Sequence, residues 1–231
     1  MTTVIAHRGN AEGPAPQTEN SVASIGAALE HGWGVEIDIR RASDGRFYIS
    51  HDRRASADGC EADQVCALLR RYPDATVALN VKELGYEEAL VAYLEQQRVL
   101  HRLFLFDMEL IEATAGETAH ALARLHQNVT VAARVSDRGE SLDRALSIGS
   151  ASVIWLDEFD RLWCTEQDVR RLTRAGRKVY AVSPDLHHFS PSDTRQRWVQ
   201  FYQWGVDGIC TDYAAALASV VKVVSTIGAA A

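Results

Sequence analysis

The sequence predicts an α/β fold of one domain, a (β/α)8 barrel, and three observations predict it. Eight short apolar runs alternate with segments of helical periodicity. Strands and helices alternating at that pitch give parallel strands joined by right-handed crossovers. The 231 residues, 47% hydrophobic, suffice for one large core and are short for two domains; about 250 residues is ordinary for such a barrel. Polar residues gather at the C-terminal ends of the apolar runs, the face on which barrels of this kind build their sites. An open doubly wound sheet is the alternative, but the chain has no Gly-x-Gly-x-x-Gly to support it.

A first strand over 3–6 ends at His7. A Gly- and Pro-rich loop, 9–17, leads to Thr18 or Asn20 as N-cap and to a helix whose apolar face is Val22, Ile25, Ala28 and Leu29, stopped by Gly32. The second strand, 34–40, alternates apolar residues with Gly34, Glu36, Asp38 and Arg40, so Glu36 and Asp38 share a face. Asp44-Gly45 is a hairpin-type turn into a short strand, 47–49, just before His51-Asp52. A polar loop, 53–59, precedes a helix over 61–72 ended by Pro73, then a strand over 75–81 with Asn80 and Lys82 at its end. A helix over 86–97 and a strand over 103–106, ending in Asp107, come next. The stretch 109–126 is helical with an interruption at Gly116, and a strand over 129–135 and a short helix over 142–148 follow. A strand over 151–156 ends in Asp157, and Thr165 caps a helix over 165–175 that Gly176 stops. A strand over 178–182 precedes Pro184-Asp185-Leu186-His187-His188, and a helix over 194–204 ends at Gly205. The last strand, 207–210, is closed by Thr211-Asp212 and followed by a helix over 213–224. Residues 1–224 are thus the expected barrel, and 225–231 a flexible tail.

The formal charge of −7 argues against a nucleic-acid backbone or an anionic membrane surface as the main partner, since both call for concentrated basic charge. A small anionic substrate held by a few local Arg and Lys is compatible with it. No basic region followed by an apolar stretch opens the chain, so no signal peptide is expected. No run approaches the roughly 20 apolar residues of a membrane span. The expectation is a cytoplasmic protein. Cys60, Cys66, Cys164 and Cys210 form no Cys-x-x-Cys pair and read as reduced structural thiols.

The converging groups describe a chemistry. Glu36 and Asp38 are suited to a hard divalent cation, and Asn80 adds a carbonyl oxygen. Arg8 and Lys82 neutralise an oxyanion, and His7 and His51 exchange protons near neutral pH. A cation, two basic side chains and two histidines suit displacement at a phosphodiester, with one histidine taking a proton from the nucleophile and the other protonating the leaving oxygen.

His7-Arg8-Gly9, Glu19-Asn20-Ser21, Glu36-Ile37-Asp38, Asp44-Gly45, His51-Asp52 and the closing stretch from Gly205 to Asp212 together resemble the glycerophosphodiester phosphodiesterases, and more broadly the phosphatidylinositol-specific phospholipase C-like barrels. The order runs from the first strand to the last. His-Arg-Gly, Glu-x-Asp and His-Asp within the first 52 residues are the specific part. The resemblance implies a small-molecule phosphodiester substrate and a Mg²⁺ or Ca²⁺ cofactor. It implies His7 and His51 as acid/base pair, Arg8 and Lys82 as phosphate contacts, and Glu36 and Asp38 as metal ligands. It also implies attack by the hydroxyl adjacent to the phosphate, through a cyclic phosphate.

Two departures from the family pattern stand out. Asn80 occupies the place of a third acidic ligand two residues before Lys82, which predicts weaker metal binding. The segment between His51-Asp52 and Asn80 is short and lacks the family's usual insertion, which predicts a more open mouth. Asp107 and Asp157 are candidates to make up the lost charge. His187 and His188 read by default as a surface loop pair, with a metal or substrate role as the alternative, and His31, His101, His120 and His126 as structural or solvated. Trp155 reads equally as substrate-stacking or core. Asp52 is expected to orient His51 or cap the loop, and Asp212 to be structural or to support the site from behind its contact residues. The leading expectation is a metal-dependent phosphodiester hydrolase. Its rivals are a cyclising phospholipase D-type or lyase enzyme on lysophospholipids, and a weakly active or inactive barrel that binds a phosphorylated ligand.

Overall fold

The side-chain alternation that singles out Glu36 and Asp38 runs through every strand and sorts the molecule into two layers of core. The structure, a computed structural model, describes residues 2–54, 56 and 61–228, the last two by their backbone alone. Cys60, most of loop 53–59 and the end of the tail lie outside the described residues. Strands β1 (Thr3–His7), β2 (Gly34–Arg41), β4 (Val77–Val81), β5 (Leu103–Phe106), β6 (Ala132–Val135), β7 (Val153–Leu156), β8 (Lys178–Val182) and β9 (Gly208–Thr211) are parallel, in the order β5-β4-β2-β1-β9-β8-β7-β6. A parallel bridge from Leu105 to Val131 brings the two ends of that order together, so the barrel is nearly closed. β3 (Phe47–Ile49) lies antiparallel on the outer end of β2 as the expected hairpin.

Helices α1 (Val22–Glu30), α2 (Ala62–Leu69), α3 (Glu87–Gln96), α4 (Glu117–Leu125), α5 (Leu142–Ser147), α6 (Glu166–Arg174), α7 (Pro191–Trp204) and α8 (Ala214–Gly228) follow the eight parallel strands in turn. This is the predicted single-domain (β/α)8 barrel. Val4, Ala6, Val35, Ile37, Ile39, Val77 and Leu79 pack outward against the helices. Ile5, Ala78, Phe104, Ala132, Val153, Tyr180 and Cys210 fill the barrel. The next inward positions toward the C-terminal face are His7, Asn80, Phe106, Arg134, Trp155, Val182 and Asp212. A packed apolar floor therefore carries a polar top.

Some boundaries move for identifiable reasons. Ser21, rather than Thr18 or Asn20, caps α1 by accepting from the Ser24 N–H. Helix α7 begins at Pro191, earlier than residue 194, because Ser190 caps it and Pro191 sits in the first turn, where its missing N–H costs nothing. The 109–126 stretch breaks, as expected, at Gly116 (φ +82°), after a 3₁₀ turn over Met108–Leu110. Helix α8 continues past Val224 to Gly228. Gly34 opens β2 because a Cβ there would lie 2.6 Å from the Thr76 carbonyl oxygen of the neighbouring strand. Among the described residues no helix is long and apolar enough to cross a membrane.

Candidate active site

The C-terminal mouth of the barrel holds a cavity of about 320 Å³, and His7, Arg8, Glu36, His51, Asn80 and Lys82 all line it. Asp38 is 1% exposed and adjoins it through its contacts with Arg8 and Lys82. The seven residues singled out by sequence are therefore brought together. Glu36 and Asp38 sit inside β2 rather than at its end. Their neighbour across the ladder is β4, where Asp38 is in register with Asn80.

His7 ends β1, and the chain then turns through left-handed backbone at Arg8 (φ 52°) and Gly9 (φ 80°). Gly9 is required there, since a Cβ would meet the backbone of Ser24 and Ile25 at 2.8 Å. The turn folds Arg8 back over β2. Its N–H donates to the Glu36 backbone oxygen at 2.9 Å and lies 3.3 Å from Glu36 Oε2. Its guanidinium reaches Glu19 Oε1 at 2.8 Å and Asp38 Oδ2 at 3.2 Å. Asn20, also left-handed (φ 58°), braces Asp38 twice: Nδ2 donates to Oδ2 at 2.9 Å, and Oδ1 accepts from the Asp38 N–H at 3.2 Å. Lys82 Nζ stands 3.5 Å from Asp38 Oδ1. Asp38 is thus the buried counter-charge that fixes two cations at the cavity floor.

Burial, then the neighbouring Asp38 charge, push Glu36 up to about 7, although His7, Arg8 and Lys82 act against the shift. His7 Nδ1 donates to Asp212 Oδ1 at 2.7 Å, and its Nε2 lies 3.8 Å from Glu36 Oε2. Burial disfavours the charged ring, but the Asp212 hydrogen bond and the Glu36 and Asp212 charges outweigh it and raise the His7 pKa. Asp212 is held lower in turn. Burial opposes that, and the bonds from His7 and from Asn10 Nδ2 (2.8 Å) prevail. Of the two expectations for Asp212, a structural role or a supporting role behind the site, the bond to His7 agrees with the second. His51 is more open, at 40% side-chain exposure, with Nδ1 2.9 Å from Asp52 Oδ1, so Asp52 stands where it can orient the ring. The Arg40 guanidinium holds the His51 backbone oxygen at 2.9 and 2.7 Å.

The opposite wall is a chain of polar residues that sequence reasoning only partly foresaw. Asn80 Nδ2 donates to Asp107 Oδ2 at 3.0 Å. Arg134, buried, bridges Asp107 and Asp157. His187 Nε2 donates to Asp157 Oδ1 at 2.6 Å, and its ring packs against Phe159 at 4.4 Å. His187 is therefore a lining residue rather than part of a surface loop pair. Arg134 went unnoticed because it is a single charge inside an apolar strand; its inward position in the alternation was the available signal. Trp155 is 3% exposed, packed on Phe106 at 4.3 Å, and belongs to the barrel core while its edge lines the cavity.

Two buried oxygens here have no hydrogen-bond donor, Asp38 Oδ1 and Asn80 Oδ1. With the crowded Glu36 carboxylate they form a hard, oxygen-only donor set that fits a divalent cation. Among the described residues no three His, Cys, Asp or Glu side chains form a metal cage, so a third protein oxygen at this place would have to come from another residue type, such as the amide of Asn80.

Residues 7–90 match the model of the glycerophosphoryl diester phosphodiesterase family. No curated protein matches the chain in sequence. A glycerophosphoryl diester phosphodiesterase from Parabacteroides distasonis superposes with a TM-score of 0.74 at 15% identity, over 96% of this chain and 87% of that one. A glycerophosphodiester phosphodiesterase from Agrobacterium tumefaciens gives 0.69 at 18%, over 96% and 100%. A phosphodiesterase from Oleispira antarctica, solved with the product sn-glycerol-3-phosphate, gives 0.70 at 19%, over 96% and 97%. At these identities the superpositions establish the fold, and the sequence match covers the stretch that carries His7 to Lys82. Over residues 7–90 the sequence is similar to the glycerophosphoryl diester phosphodiesterases, a family of phosphoric diester hydrolases, and over nearly its whole length the chain has the fold of solved structures bearing that name.

Proposed function

We propose that the protein is a divalent-cation-dependent hydrolase of glycerophosphodiesters that works by paired histidine acid/base catalysis. The observation that carries the reading is the single cavity lined by His7, Arg8, Glu36, His51, Asn80 and Lys82, with Asp38 in contact with its Arg8 and Lys82. Glu36, Asp38 and Asn80 would hold Mg²⁺ or Ca²⁺. When bound, the cation offsets charge on the phosphate's non-bridging oxygens.

The chain's own residues do the rest. Arg8 and Lys82, both fixed by Asp38, present positive charge to the phosphate without having to reorganise. Asp212 holds the Nδ1 proton of His7, so Nε2 is the nitrogen left to exchange a proton with substrate. One histidine accepts the proton of the substrate hydroxyl adjacent to the phosphate as the new P–O bond forms. The other donates a proton to the departing alcohol oxygen as the old P–O bond breaks. Water then opens the cyclic phosphate with the two roles exchanged.

A second reading keeps the first half of this reaction and drops the second: a cyclising enzyme acting on lysophospholipids. The exposure of Leu110, Ile111, Leu162 and Tyr213, all on loops at the cavity's end of the barrel, favours it, because they offer an acyl chain an apolar rim. The test is incubation with glycerophosphodiesters and lysophospholipids in Mg²⁺ or Ca²⁺, with products followed by phosphorus NMR. An open monoester from a glycerophosphodiester supports the first reading. A cyclic phosphate as end product from a lysophospholipid supports the second. Phosphate-ligand binding with no turnover of either would replace both with a non-catalytic barrel.

A further inference from the structure

Asn80 is an ambivalent residue at a position that asks for an oxygen. A carboxylate offers oxygen at both ends of its fork. An amide offers oxygen at one end and an N–H donor at the other, and the wrong end repels a cation. Something must choose the end, and Asp107 does. Its Oδ2 accepts from Asn80 Nδ2 at 3.0 Å, and a carboxylate can only accept, so the amide nitrogen is committed to Asp107. The amide oxygen is left buried with no donor, on a residue in register with Asp38, whose own Oδ1 is likewise buried without one.

Asp107 is itself held. It sits in left-handed backbone (φ 70°), unusual for a residue with a side chain, at the turn after β5. Its other oxygen takes a hydrogen bond from Arg134, which Asp157 anchors on the far side. We propose that Asp107 is a positioning residue that turns the Asn80 amide oxygen toward the cation held by Glu36 and Asp38, and so lets an amide serve where a carboxylate would need no help. The inference rests on the reading of Glu36, Asp38 and Asn80 as cation ligands. Arg134 sharpens it: as a pure donor it claims the oxygen of any amide placed at position 107. The –NH₂ of that amide then faces Asn80 and turns it the wrong way round.

The test is a double-mutant cycle read by calorimetric titration with Ca²⁺ and with Mg²⁺ alone, without substrate, on variants whose melting curves show a folded protein. Asp107→Asn is expected to weaken cation affinity by about tenfold or more, as loss of a group that orients a ligand typically does. In an Asn80→Asp background, where both ends are oxygen, the same Asp107→Asn change is expected to leave affinity unchanged or to tighten it. If Asp107→Asn does not fold, Asp107→Gly replaces it, since glycine keeps the left-handed backbone. An equal loss in both backgrounds would mean that Asp107 contributes only charge and would overturn the proposal, as would no loss in either. Absence of cation binding by the wild-type protein would overturn it too. Metal-free turnover of a glycerophosphodiester would then show that the phosphodiesterase reading survives on its own.

Discussion

His7 and Asp212 are 205 residues apart in the chain and share a 2.7 Å hydrogen bond. Barrel closure makes the contact possible: β1 and β9 are parallel neighbours, so the first and last strands end side by side. The bond selects the Nδ1–H tautomer of His7 and raises its basicity. Asp212→Asn removes the charge and leaves the shape. We expect the His7 pKa to fall, the limb of the pH–rate profile that reports His7 to move to lower pH, and kcat/KM to drop roughly ten- to a hundredfold. A pH–rate profile of the variant checks this, and an unmoved limb would separate Asp212 from catalysis.

Glu36 gives a pH dependence of stability with a definite sign. Its folded pKa of about 7 lies above the ordinary carboxyl value of 4.5, so the folded state binds the proton more tightly than the unfolded chain does. Its contribution is therefore favourable below pH 4.5 and is lost as pH rises through 7. Glu36→Gln should stabilise the cation-free protein at pH 8, by an amount on the order of 3 kcal/mol. The advantage should vanish by pH 4.5, and millimolar Ca²⁺ should shrink it at pH 8. Thermal melts across pH, with EDTA and with Ca²⁺, would show the crossover.

Arg197 and Glu158 form a buried ion pair behind the site, 5% and 0% exposed at their side chains. Arg197 Nε donates to Glu158 Oε2 at 2.7 Å, and Nη2 reaches the Cys164 carbonyl oxygen at 3.0 Å. Removing one partner strands a buried charge, so Arg197→Ala should cost about 3–5 kcal/mol. The double change Glu158→Leu with Arg197→Met should cost much less. Urea unfolding of the two variants tests the difference.

Gly9 and Gly205 share a left-handed backbone, φ +80° in both, but differ in surroundings. A Cβ on Gly205 meets nothing within 4 Å, whereas one on Gly9 meets Ser24 and Ile25 at 2.8 Å. Gly205→Ala should cost about 1–2 kcal/mol, the backbone penalty alone. Gly9→Ala should cost more, and should also lower activity by moving His7 and Arg8. Chemical denaturation beside an activity assay separates the two effects.

What could be read from the sequence followed the physics of each feature. The barrel was legible because strand and helix periods are local, and inward and outward positions alternate without exception along β2. The clustering of His7, Glu36, His51 and Lys82 was legible because strand ends converge in this fold. Asn20 was read as a possible cap, and its role of bracing Asp38 was hidden because that depends on a turn through left-handed backbone at Arg8 and Gly9. Arg134 was missed as a lining residue, and His187 stood only as an alternative, for a related reason. The alternation along β6 marks Arg134 as inward, but the partners that hold it and His187, Asp107 and Asp157, follow other strands, and no local pattern announces those contacts.

In the proposed reaction His7 works on a phosphodiester beside a cation. The most direct measurement is the rate of monoester formation from a glycerophosphodiester by wild type and His7→Ala, each with Ca²⁺ or Mg²⁺ and with EDTA. Expected are turnover by wild type with the cation, its loss in EDTA, and a fall of at least about a hundredfold in His7→Ala with cation affinity retained. Equal rates for His7→Ala and wild type, or full activity in EDTA, would contradict it.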